Sequence, residues 1–393
     1  MPESSPLNTR LGRWVETNTT GETVRAYVPP PLPPTPPIDL SQLTSRLERA
    51  TLALGRLDGV TSILPAPPLF IFMYVRKEAL LSSQIEGTQS SLSDLLLFEA
   101  DEIPLVPLDD VQEVSNYIAA LEYGLDRLRG GFPLSLRLIR EMHGVLLADG
   151  RGAHAQPGEF RRSQNWIGGT RPGTAAYVPP PPEELMACLG DLEKFLHGDE
   201  GMSTIIRAAI AHVQFESIHP FLDGNGRLGR LLITLLMVTR GVLRQPTLYL
   251  SLYFKRHRQV YYDLLQAVRT KGDWEAWLGF FLDGVIETGE QATQTAQDLL
   301  ALFEADSQKI QTLGRGAASA AMVHQLMQRR ALTTIQKAAN ELALSEPTIN
   351  SALGNLELLG IVKEITGKQR RRVYSYEAYL QILTKGTEPR SGD

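Results

Sequence analysis

The segment that decides the fold is His219-Pro-Phe-Leu-Asp-Gly-Asn-Gly-Arg-Leu-Gly-Arg230. It brings an imidazole, a carboxylate, glycines and two guanidinium groups into one short run, a mixture that a hydrophobic core does not need. From Leu228 the chain continues as an apolar run of helix formers, so the glycine-rich turn falls where a helix begins. Because the first N–H groups of a helix have no acceptor within it, they bind anions. The segment therefore predicts a site for a polyphosphate.

Two pairs of residues in this run suit phosphate oxygens. Gly224 and Gly226 have no Cβ, so the backbone can approach an anion closely and adopt the unusual dihedral angles of an anion-binding turn. Arg227 and Arg230 are three positions apart and share one helical face. Guanidinium groups bind phosphate oxygens in a bidentate manner. Together the two arginines would hold two phosphates of one nucleotide.

The remaining polar side chains of the run suit transfer chemistry. Asp223 is a hard oxygen ligand of the kind that binds Mg²⁺ alongside substrate phosphates. His219 carries an imidazole that titrates near neutrality and can take a proton from an attacking hydroxyl. Phe221, between them, is expected to anchor the loop in the core.

The run resembles the signature His-x-Phe-x-Asp/Glu-Gly-Asn-Gly-Arg-x-x-Arg of the Fic family, and every specified position matches. Fic proteins are largely helical, and most of them transfer AMP from ATP to a hydroxyl of a target protein. The resemblance implies a mainly α fold, a helical bundle with a small β-hairpin flap. It implies His219 as the base, Asp223 as the Mg²⁺ ligand and Arg230 as the partner of the γ-phosphate. The nucleotide-binding residues that it implies within the run are Asp223, Gly224, Asn225, Gly226, Arg227, Leu228, Gly229 and Arg230.

A second motif lies upstream, where Ser82-Ser-Gln-Ile-Glu-Gly87 resembles the inhibitory Ser/Thr-x-x-x-Glu-Gly/Asn motif of the same family. In that family the glutamate pairs with the second arginine of the signature, which implies a contact between Glu86 and Arg230. One guanidinium cannot hold a carboxylate and a γ-phosphate in the same geometry, so ATP would bind misaligned for in-line attack. The enzyme would be off by default. Without the resemblance, Glu86 could equally be a solvated residue at a helix end.

Gly158 to Gly169 contain Trp166-Ile167 between polar and glycine-rich flanks, a pattern that favours a β-hairpin. Four prolines then end the segment before a helix that is expected near Glu183. In the Fic family this position holds a flap that aligns the target segment by strand addition. The resemblance implies that Asn165, Trp166, Ile167 and Gly168 border the nucleotide. The alternative is an ordinary surface loop.

Tyr261 and Tyr262 lie on a helix that is expected to begin after His257, where relatives stack the adenine. The resemblance implies the stacking role for Tyr261, and the alternative is a core aromatic residue. Some relatives carry an asparagine further along this helix, and this chain has Arg269 there. Because an arginine cannot make the same hydrogen bonds as an asparagine, the adenine contact of those relatives is not expected here.

Proline-rich stretches and changes in the helical pattern along the chain predict four regions. Residues 1–37 contain the proline-rich stretch 29–37 and favour an extended arm. Residues 38–110 form a helical region that carries the inhibitory helix, in which Ser41 is a candidate cap. Residues 111–304 form the catalytic domain and residues 308–393 a separate C-terminal domain. Helices are expected from about Leu69 to the inhibitory motif and near 92–100, 111–129, 135–148, 183–197 and 203–217.

The C-terminal segment has the pattern of two helices followed by a hairpin. The helices are expected over Thr333–Leu342 and Glu346–Leu359, separated by a tight turn. The segment resembles a winged helix-turn-helix domain, so DNA is a possible partner through phosphates and base edges. The alternative is a dimerisation or protein-docking module. The polar and basic residues that would meet DNA are Ser345, Thr348, Asn350, Ser351, Lys368, Arg370, Arg371 and Arg372.

Composition narrows the class of protein. The chain has 393 residues, 43% of them hydrophobic, which predicts two or three domains with real cores. Cys188 is the single cysteine, so no disulfide framework is expected. The N-terminal residues lack the pattern of a secretion signal and the apolar runs are too short to span a bilayer, so a cytoplasmic protein without membrane insertion is expected. The net charge of −5 argues against broad non-specific nucleic-acid binding.

Two hypotheses from different classes follow. The first is an ATP-dependent and Mg²⁺-dependent protein adenylyltransferase that is restrained by Glu86, modifies a Ser, Thr or Tyr hydroxyl of a target protein, and modifies itself. The second is a DNA-binding regulator whose Fic-like body senses nucleotide or dimerises. Within the enzyme class, relatives also use other phosphate-containing donors or remove AMP. A homodimer is expected in either case.

Overall fold

The computed structural model describes residues 10–63, 67–99, 106–198, 201–368, 371–385 and 387. Helices dominate this part of the chain, and the prediction of a mainly α fold with small β elements is confirmed. The helices of the N-terminal and central parts are α1 (Thr44–Ile63), α2 (Pro67–Ile85), α3 (Leu92–Glu99), α4 (Leu108–Arg129), α5 (Leu136–Leu146), α6 (Pro182–His197), α7 (Thr204–Ile218), α8 (Asn225–Thr239), α9 (Ser251–Arg256), α10 (Arg258–Lys271) and α11 (Trp274–Gln311). Where the sequence predicted helices, most bounds agree within three residues.

The centre of the fold is the helix pair α7 and α8. Every residue of α7 from Ile205 to Ile218 is buried, and a helix that is buried all round must satisfy its polar side chains inside the protein. Gln214 accordingly donates to Pro30 O at 2.8 Å. Trp277 of α11 is fully buried and donates from Nε1 to Ala209 O at 3.0 Å. The loop between α7 and α8 therefore starts from a helix that is buried along its length.

The prediction of an extended arm over residues 1–37 is wrong for a large part of that range. Strands β1 (Arg13–Thr19) and β2 (Glu22–Val28) pair as an antiparallel hairpin. Its two-residue turn has Thr20 at φ 49° and Gly21 at φ 80°, the left-handed dihedrals that a tight hairpin turn requires. The signal was present in the sequence, because valine, threonine and tyrosine flank a turn that contains a glycine. Residues 1–9 lie outside the described part.

The expected hairpin at 158–182 is reduced to a single bridge. Ile167 and Tyr177 exchange both backbone hydrogen bonds, at 2.8 and 3.1 Å. The N-terminal hairpin extends this small sheet, because Tyr27 N–H donates to Val178 O at 2.9 Å. One edge of the flap is therefore covered by the chain's own β2.

The C-terminal part contains α12 (Ala317–Arg330), α13 (Ile335–Leu342), α14 (Glu346–Leu358) and α15 (Glu377–Thr384), with the strands β3 (Leu332–Thr334), β4 (Lys363–Glu364) and β5 (Val373–Ser375). The strands form an antiparallel sheet in the order β3-β5-β4. The first expected helix begins two residues late because β3 pairs with β5, and the Thr334 side chain caps the helix by accepting from Lys337 N. Arg370 of the expected basic tip lies outside the described residues, whereas Lys368, Arg371 and Arg372 lie within them.

Helix α1 begins at Thr44, after the candidate cap Ser41. Ser41 does not cap α1, because a short 3₁₀ turn over Ser41–Leu43 precedes that helix and Asp39 Oδ1 accepts from Ser41 N–H at 2.9 Å. Among the described helices none combines the length and the apolar character that crossing a bilayer would require.

Candidate active site

The signature forms the loop from α7 to α8 as the sequence predicted. His219 ends α7 in a left-handed conformation at φ 48°, and Gly224 precedes α8 at φ 76°. The Asn225 side chain closes the loop by accepting from Phe221 N–H and donating to Phe221 O, both at 2.9 Å. Both polar atoms of that side chain are therefore used within the loop. Only the main-chain N–H of Asn225 is available to an anion. The amides of residues 225–227 are the first of α8 and have no acceptor within the helix.

The imidazole of His219 is in the state that a base requires. Burial, together with the nearby guanidinium groups of Arg269 and Arg161, lowers its pKa to about 3. The ring is therefore neutral at neutral pH. Its Nδ1 atom is buried and makes no hydrogen bond with any described group.

The last carbonyls of α7 are each held by a donor from outside the helix. Arg269 donates to Glu216 O at 3.1 Å, and the Tyr177 hydroxyl donates to Ser217 O at 2.6 Å. Arg161 donates to His219 O at 2.9 Å and to Ile218 O at 3.4 Å. These carbonyls would otherwise be unsatisfied at the helix end, so the three donors fix the position of His219.

Arg161 was not among the site residues predicted from the sequence. It is 2% exposed, and it also donates to Pro180 O at 2.5 Å and from its main chain to Pro220 O at 2.9 Å. The available signal was its place in the Gly-Glu-Phe-Arg segment, where an arginine precedes the expected flap. Arg269 was noted only as a departure from relatives, and it is a structural residue whose guanidinium lies 3.8 Å from the Tyr177 ring centroid.

His143 of α5, which no motif of the sequence indicated, positions the start of the loop between α7 and α8. Its Nδ1 accepts from Gly158 N–H at 2.9 Å, so the proton is on Nε2, which donates to Asp223 O at 3.1 Å. Its ring stacks on Phe221 with centroids 3.7 Å apart. Burial lowers the pKa of His143 to about 4, which keeps this tautomer neutral.

The two arginines of the signature point to different partners. Arg227 donates to Glu113 Oε2 of α4 at 3.1 Å, both side chains being 4% exposed, and it lies 3.5 Å from Asp223 Oδ1. Arg230 turns towards the end of α2. In this conformation each arginine is held by a carboxylate of its own, so the expectation that both face one polyphosphate stays a prediction. The two partners differ because Glu113 lies on α4 whereas Glu86 follows α2. The spacing of the arginines cannot reveal which of these elements packs against each of them.

The contact implied between Glu86 and Arg230 is present. Arg230 Nη2 donates to Glu86 Oε1 at 2.6 Å, and the same arginine donates to Ser82 Oγ at 2.8 Å and to Ser82 O at 3.0 Å. Arg230 is 2% exposed, and the Glu86 side chain is 35% exposed. Glu86 Oε1 also occupies the space that a Cβ at position 226 would need. The carboxylate therefore lies against the N-terminus of α8, where an anion is expected.

The remaining expected nucleotide-binding residues are dispersed. Asn165 reaches the loop by donating from Nδ2 to Phe221 O at 3.0 Å, whereas Trp166 packs against the small apolar cluster of the N-terminal hairpin. Tyr261 is 1% exposed and donates or accepts with His212 Nε2 at 2.8 Å. This placement favours the alternative of a core aromatic residue, because the ring has no free face for a base. Its neighbour Tyr262 is 39% exposed.

Comparison with known families agrees with this geometry. Residues 44–126 match the family model described as Fic/DOC family N-terminal, and residues 133–237 match the Fic/DOC family. The chain belongs to the Fic/DOC family. The two matched segments contain both motifs, the inhibitory turn in the first and the catalytic loop in the second.

Curated relatives carry the name protein adenylyltransferase Fic. The protein of Aedes aegypti is 34% identical over 208 residues, and that of Drosophila ananassae is 29% identical over 197 residues. The first alignment covers 51% of this chain and 38% of the relative, and the second covers 49% and 36%. The matched stretch thus spans less than two fifths of the length of these relatives.

Solved structures share the fold. A Fic family protein from Desulfovibrio desulfuricans G20 superposes with a TM-score of 0.56 at 20% identity, over 89% of this chain and 98% of that chain. Fic-1 (residues 134–508) from C. elegans gives a TM-score of 0.51 at 26% identity, over 67% of this chain and 75% of that chain.

The role of His143 predicts a pH-dependent loss of stability in His143→Gln. We expect the variant to lower the free energy of unfolding by about 1–3 kcal/mol at pH 7, because two buried hydrogen bonds lose their common partner. The folded pKa is lowered to about 4 from 6.5, so the stability that neutral His143 provides is complete above pH 6.5 and is lost as the pH falls towards 4. Denaturant unfolding should therefore show a smaller cost at pH 4.5 than at pH 7.

The matched control is His197→Gln, which replaces an exposed histidine on α6. It should leave the free energy of unfolding nearly unchanged at both pH values. An equal loss for His143→Gln at pH 4.5 and pH 7 would contradict the assignment of a neutral, hydrogen-bonded ring.

Proposed function

We propose that this chain is a protein adenylyltransferase that transfers AMP from ATP to a Ser, Thr or Tyr hydroxyl of a target protein. The observation that carries the proposal is the single loop that joins a neutral, half-buried His219 to the N-terminus of α8. The names of the curated relatives support it. A binding module would need the anion site but would have no use for an adjacent proton acceptor.

The phosphate tail of ATP would bind along the start of α8. The main-chain N–H groups of Asn225, Gly226 and Arg227 are available to phosphate oxygens there, and the helix dipole favours negative charge. Arg230 would bind the γ-phosphate once Glu86 leaves it. Arg227 would stay with Glu113 or turn to a phosphate, and its 3.5 Å distance from Asp223 keeps it close to the charged tail.

The reaction would be an in-line displacement at the α-phosphorus. The target oxygen forms a bond to that phosphorus, the bond to the bridging oxygen of the β-phosphate breaks, and pyrophosphate leaves. The proton of the hydroxyl passes to His219, which can accept it because its ring is neutral. Arg161 and Arg269 hold the end of α7 and thereby the orientation of the base.

The residues present fit Mg²⁺ as a cofactor of the nucleotide. Asp223 is 43% exposed at the start of the phosphate loop, so its carboxylate is accessible. Within the described residues no group of three or more His, Cys, Asp or Glu side chains could form a metal site of the protein's own. A single carboxylate combined with substrate phosphates is the usual way in which proteins bind this ion. When bound, the ion would neutralise charge on the phosphates, and Asp223 would hold it.

The same geometry supports restraint by Glu86. Its carboxylate holds Arg230 and lies against Gly226, so it occupies two places that the triphosphate needs. The contact is mostly buried at the arginine, where the local dielectric is low and the ion pair is screened less than at the surface. ATP would bind with its γ-phosphate displaced until α2 shifts.

A DNA-binding role of residues 308–393 is the second candidate, and charge favours it. We propose that this segment is a winged helix-turn-helix domain. It contains twelve Lys or Arg against seven Asp or Glu, a net charge of +5 in a chain of net charge −5. Asn350 and Ser351 of α14 are exposed, and Arg372 lies beside Asn350 at 3.5 Å. Basic residues in the connection between β4 and β5, beside an exposed polar helix face, are suited to phosphates and base edges.

His219→Ala should abolish label transfer from α-labelled ATP in the presence of Mg²⁺. We expect a loss of about a hundredfold or more, because the variant removes the proton acceptor and leaves the phosphate site intact. Circular dichroism and ATP affinity should stay close to those of the parent protein. Transfer at the parental rate would reject the role of His219.

Glu86→Gly should raise self-labelling by about 5- to 150-fold, the range of typical coupling energies, because Arg230 becomes free for the γ-phosphate. The variant should be incubated with each α-labelled nucleoside triphosphate and Mg²⁺, and the added mass located by mass spectrometry. Glu86→Asp separates the contact from the charge. It keeps the carboxylate but is one methylene too short for the 2.6 Å contact, so it should also be activated. A double variant with His219→Ala should be silent. Unchanged labelling in both single variants would remove the inhibitory assignment.

For the C-terminal domain, full-length protein should shift duplex DNA in a gel, with an affinity that falls as salt rises. Changing Lys368, Arg371 and Arg372 to Glu should weaken binding and reduce the salt slope by about three, because each residue contacts about one phosphate. The control makes the same charge change at Lys194, Arg258 and Lys271, which are exposed on the helical body. Equal effects of the two triple variants would argue against a specific DNA surface.

A further inference from the structure

The end of α2 is tied to the C-terminal end of the chain through one glutamine. Gln84 lies two residues before Glu86, and its Nε2 donates to Ser90 O at 2.9 Å and to Thr387 O at 3.1 Å. Its Oε1 accepts from Lys255 Nζ at 2.7 Å. The contact with Thr387 spans 303 positions of sequence, so only the tertiary structure could bring these groups together.

A second contact between the same two regions lies two turns earlier on α2. Lys77 is 1% exposed, and its ammonium donates to Lys385 O at 3.0 Å. It also lies 4.5 Å from the centroid of the Tyr249 ring. A buried ammonium is costly unless acceptors surround it, so the carbonyl of Lys385 is part of what keeps this face of α2 in place.

The turn that carries Glu86 depends on the same residues. Helix α2 ends at Ile85, after which Glu86 N–H donates to Ser83 O at 3.0 Å and Gly87 N–H donates to Gln84 O at 3.2 Å. The main-chain carbonyl of Gln84 therefore closes this turn, and the side chain of the same residue anchors it. A shift of Gln84 would move Glu86 relative to the buried and fixed guanidinium of Arg230.

The C-terminal contacts are in turn placed by the C-terminal domain. Lys385 and Thr387 follow α15 directly, and α15 is fixed by buried Tyr379 and Leu383. At the start of α15 the Tyr376 hydroxyl donates to Asp306 of α11 at 2.6 Å. The position of the C-terminal domain on α11 thus determines where the carbonyls meet α2.

We infer that the carbonyls of Lys385 and Thr387, acting through Lys77 and Gln84, are a positioning device for Glu86 and hold it on Arg230. The inference rests on the proposed function, because it concerns the restraint of that reaction. It adds that the C-terminal domain controls this restraint. A ligand of the C-terminal domain that displaces α15 would release Glu86 without touching the nucleotide site.

The test compares truncation after Thr384 with Gln84→Ala. Truncation removes the two acceptor carbonyls and leaves every described helix and strand complete, and Gln84→Ala removes the donor. We expect each to raise self-labelling from α-labelled ATP by about two- to tenfold, the effect of a net hydrogen bond on an equilibrium. Because both changes remove the contact between Gln84 and Thr387, the combined variant should show less than the product of the two effects. In the Glu86→Gly background neither change should add activity, since the group that they position is gone.

Gln89→Ala is the matched control, because it removes an exposed glutamine side chain from the same segment. It should label at the parental rate. Parental labelling of both the truncated protein and Gln84→Ala, together with an active Glu86→Gly variant, would overturn the inference and leave the proposed function standing.

Amide hydrogen exchange gives a readout that does not depend on activity. Truncation and Gln84→Ala should speed exchange over residues 84–90, whereas Gln89→Ala should not. If Glu86→Gly is itself inactive, the proposed function fails, and the exchange result alone decides whether the C-terminal residues hold this turn. Unchanged exchange in both variants would refute the positioning role.

Discussion

The structure depends on how the C-terminal end of α7 is satisfied. A buried helix end presents carbonyls that need donors. Here Arg161 and Tyr177, from the segment between α5 and α6, and Arg269 of α10 supply them. These donors leave little freedom to His219, the next residue in the chain. Burial lowers the pKa of its imidazole, and the cations that complete the helix end act in the same direction, so one arrangement both orients this ring and keeps it neutral.

The start of α8 presents the opposite problem, a helix end with free donors. In this conformation the carboxylate of Glu86 lies against it and pairs with Arg230. A carboxylate and a phosphate compete there because both are anions that suit the same amides and the same guanidinium. Restraint by Glu86 therefore requires no separate inhibitory site. It requires only that α2 be held in register, and the contacts of Gln84 and Lys77 with the C-terminal residues are placed to do this.

The sequence was most informative where function is local. The segment 219–230 predicted the helix start, the left-handed glycine and the candidate base, because each depends on neighbours within a few residues. The Glu86–Arg230 contact followed from a resemblance and not from spacing, since the two residues are far apart in the chain. The N-terminal hairpin was missed because the proline-rich stretch after it dominated the interpretation of residues 1–37. Tyr261 was assigned from position alone, and its burial among other aromatic side chains favours a core role.

The sequence by itself determined the helical elements, the glycine-rich loop between α7 and α8 and the charge that each side chain can bring to it. Only the tertiary structure decided how those charges are shared. In it Arg227 pairs with Glu113, Arg230 pairs with Glu86, and His143 donates to the carbonyl of Asp223. The C-terminal residues contact α2. The physical reason is that helix periodicity fixes which face a side chain occupies, whereas its partner is fixed by the packing of elements that are distant in sequence.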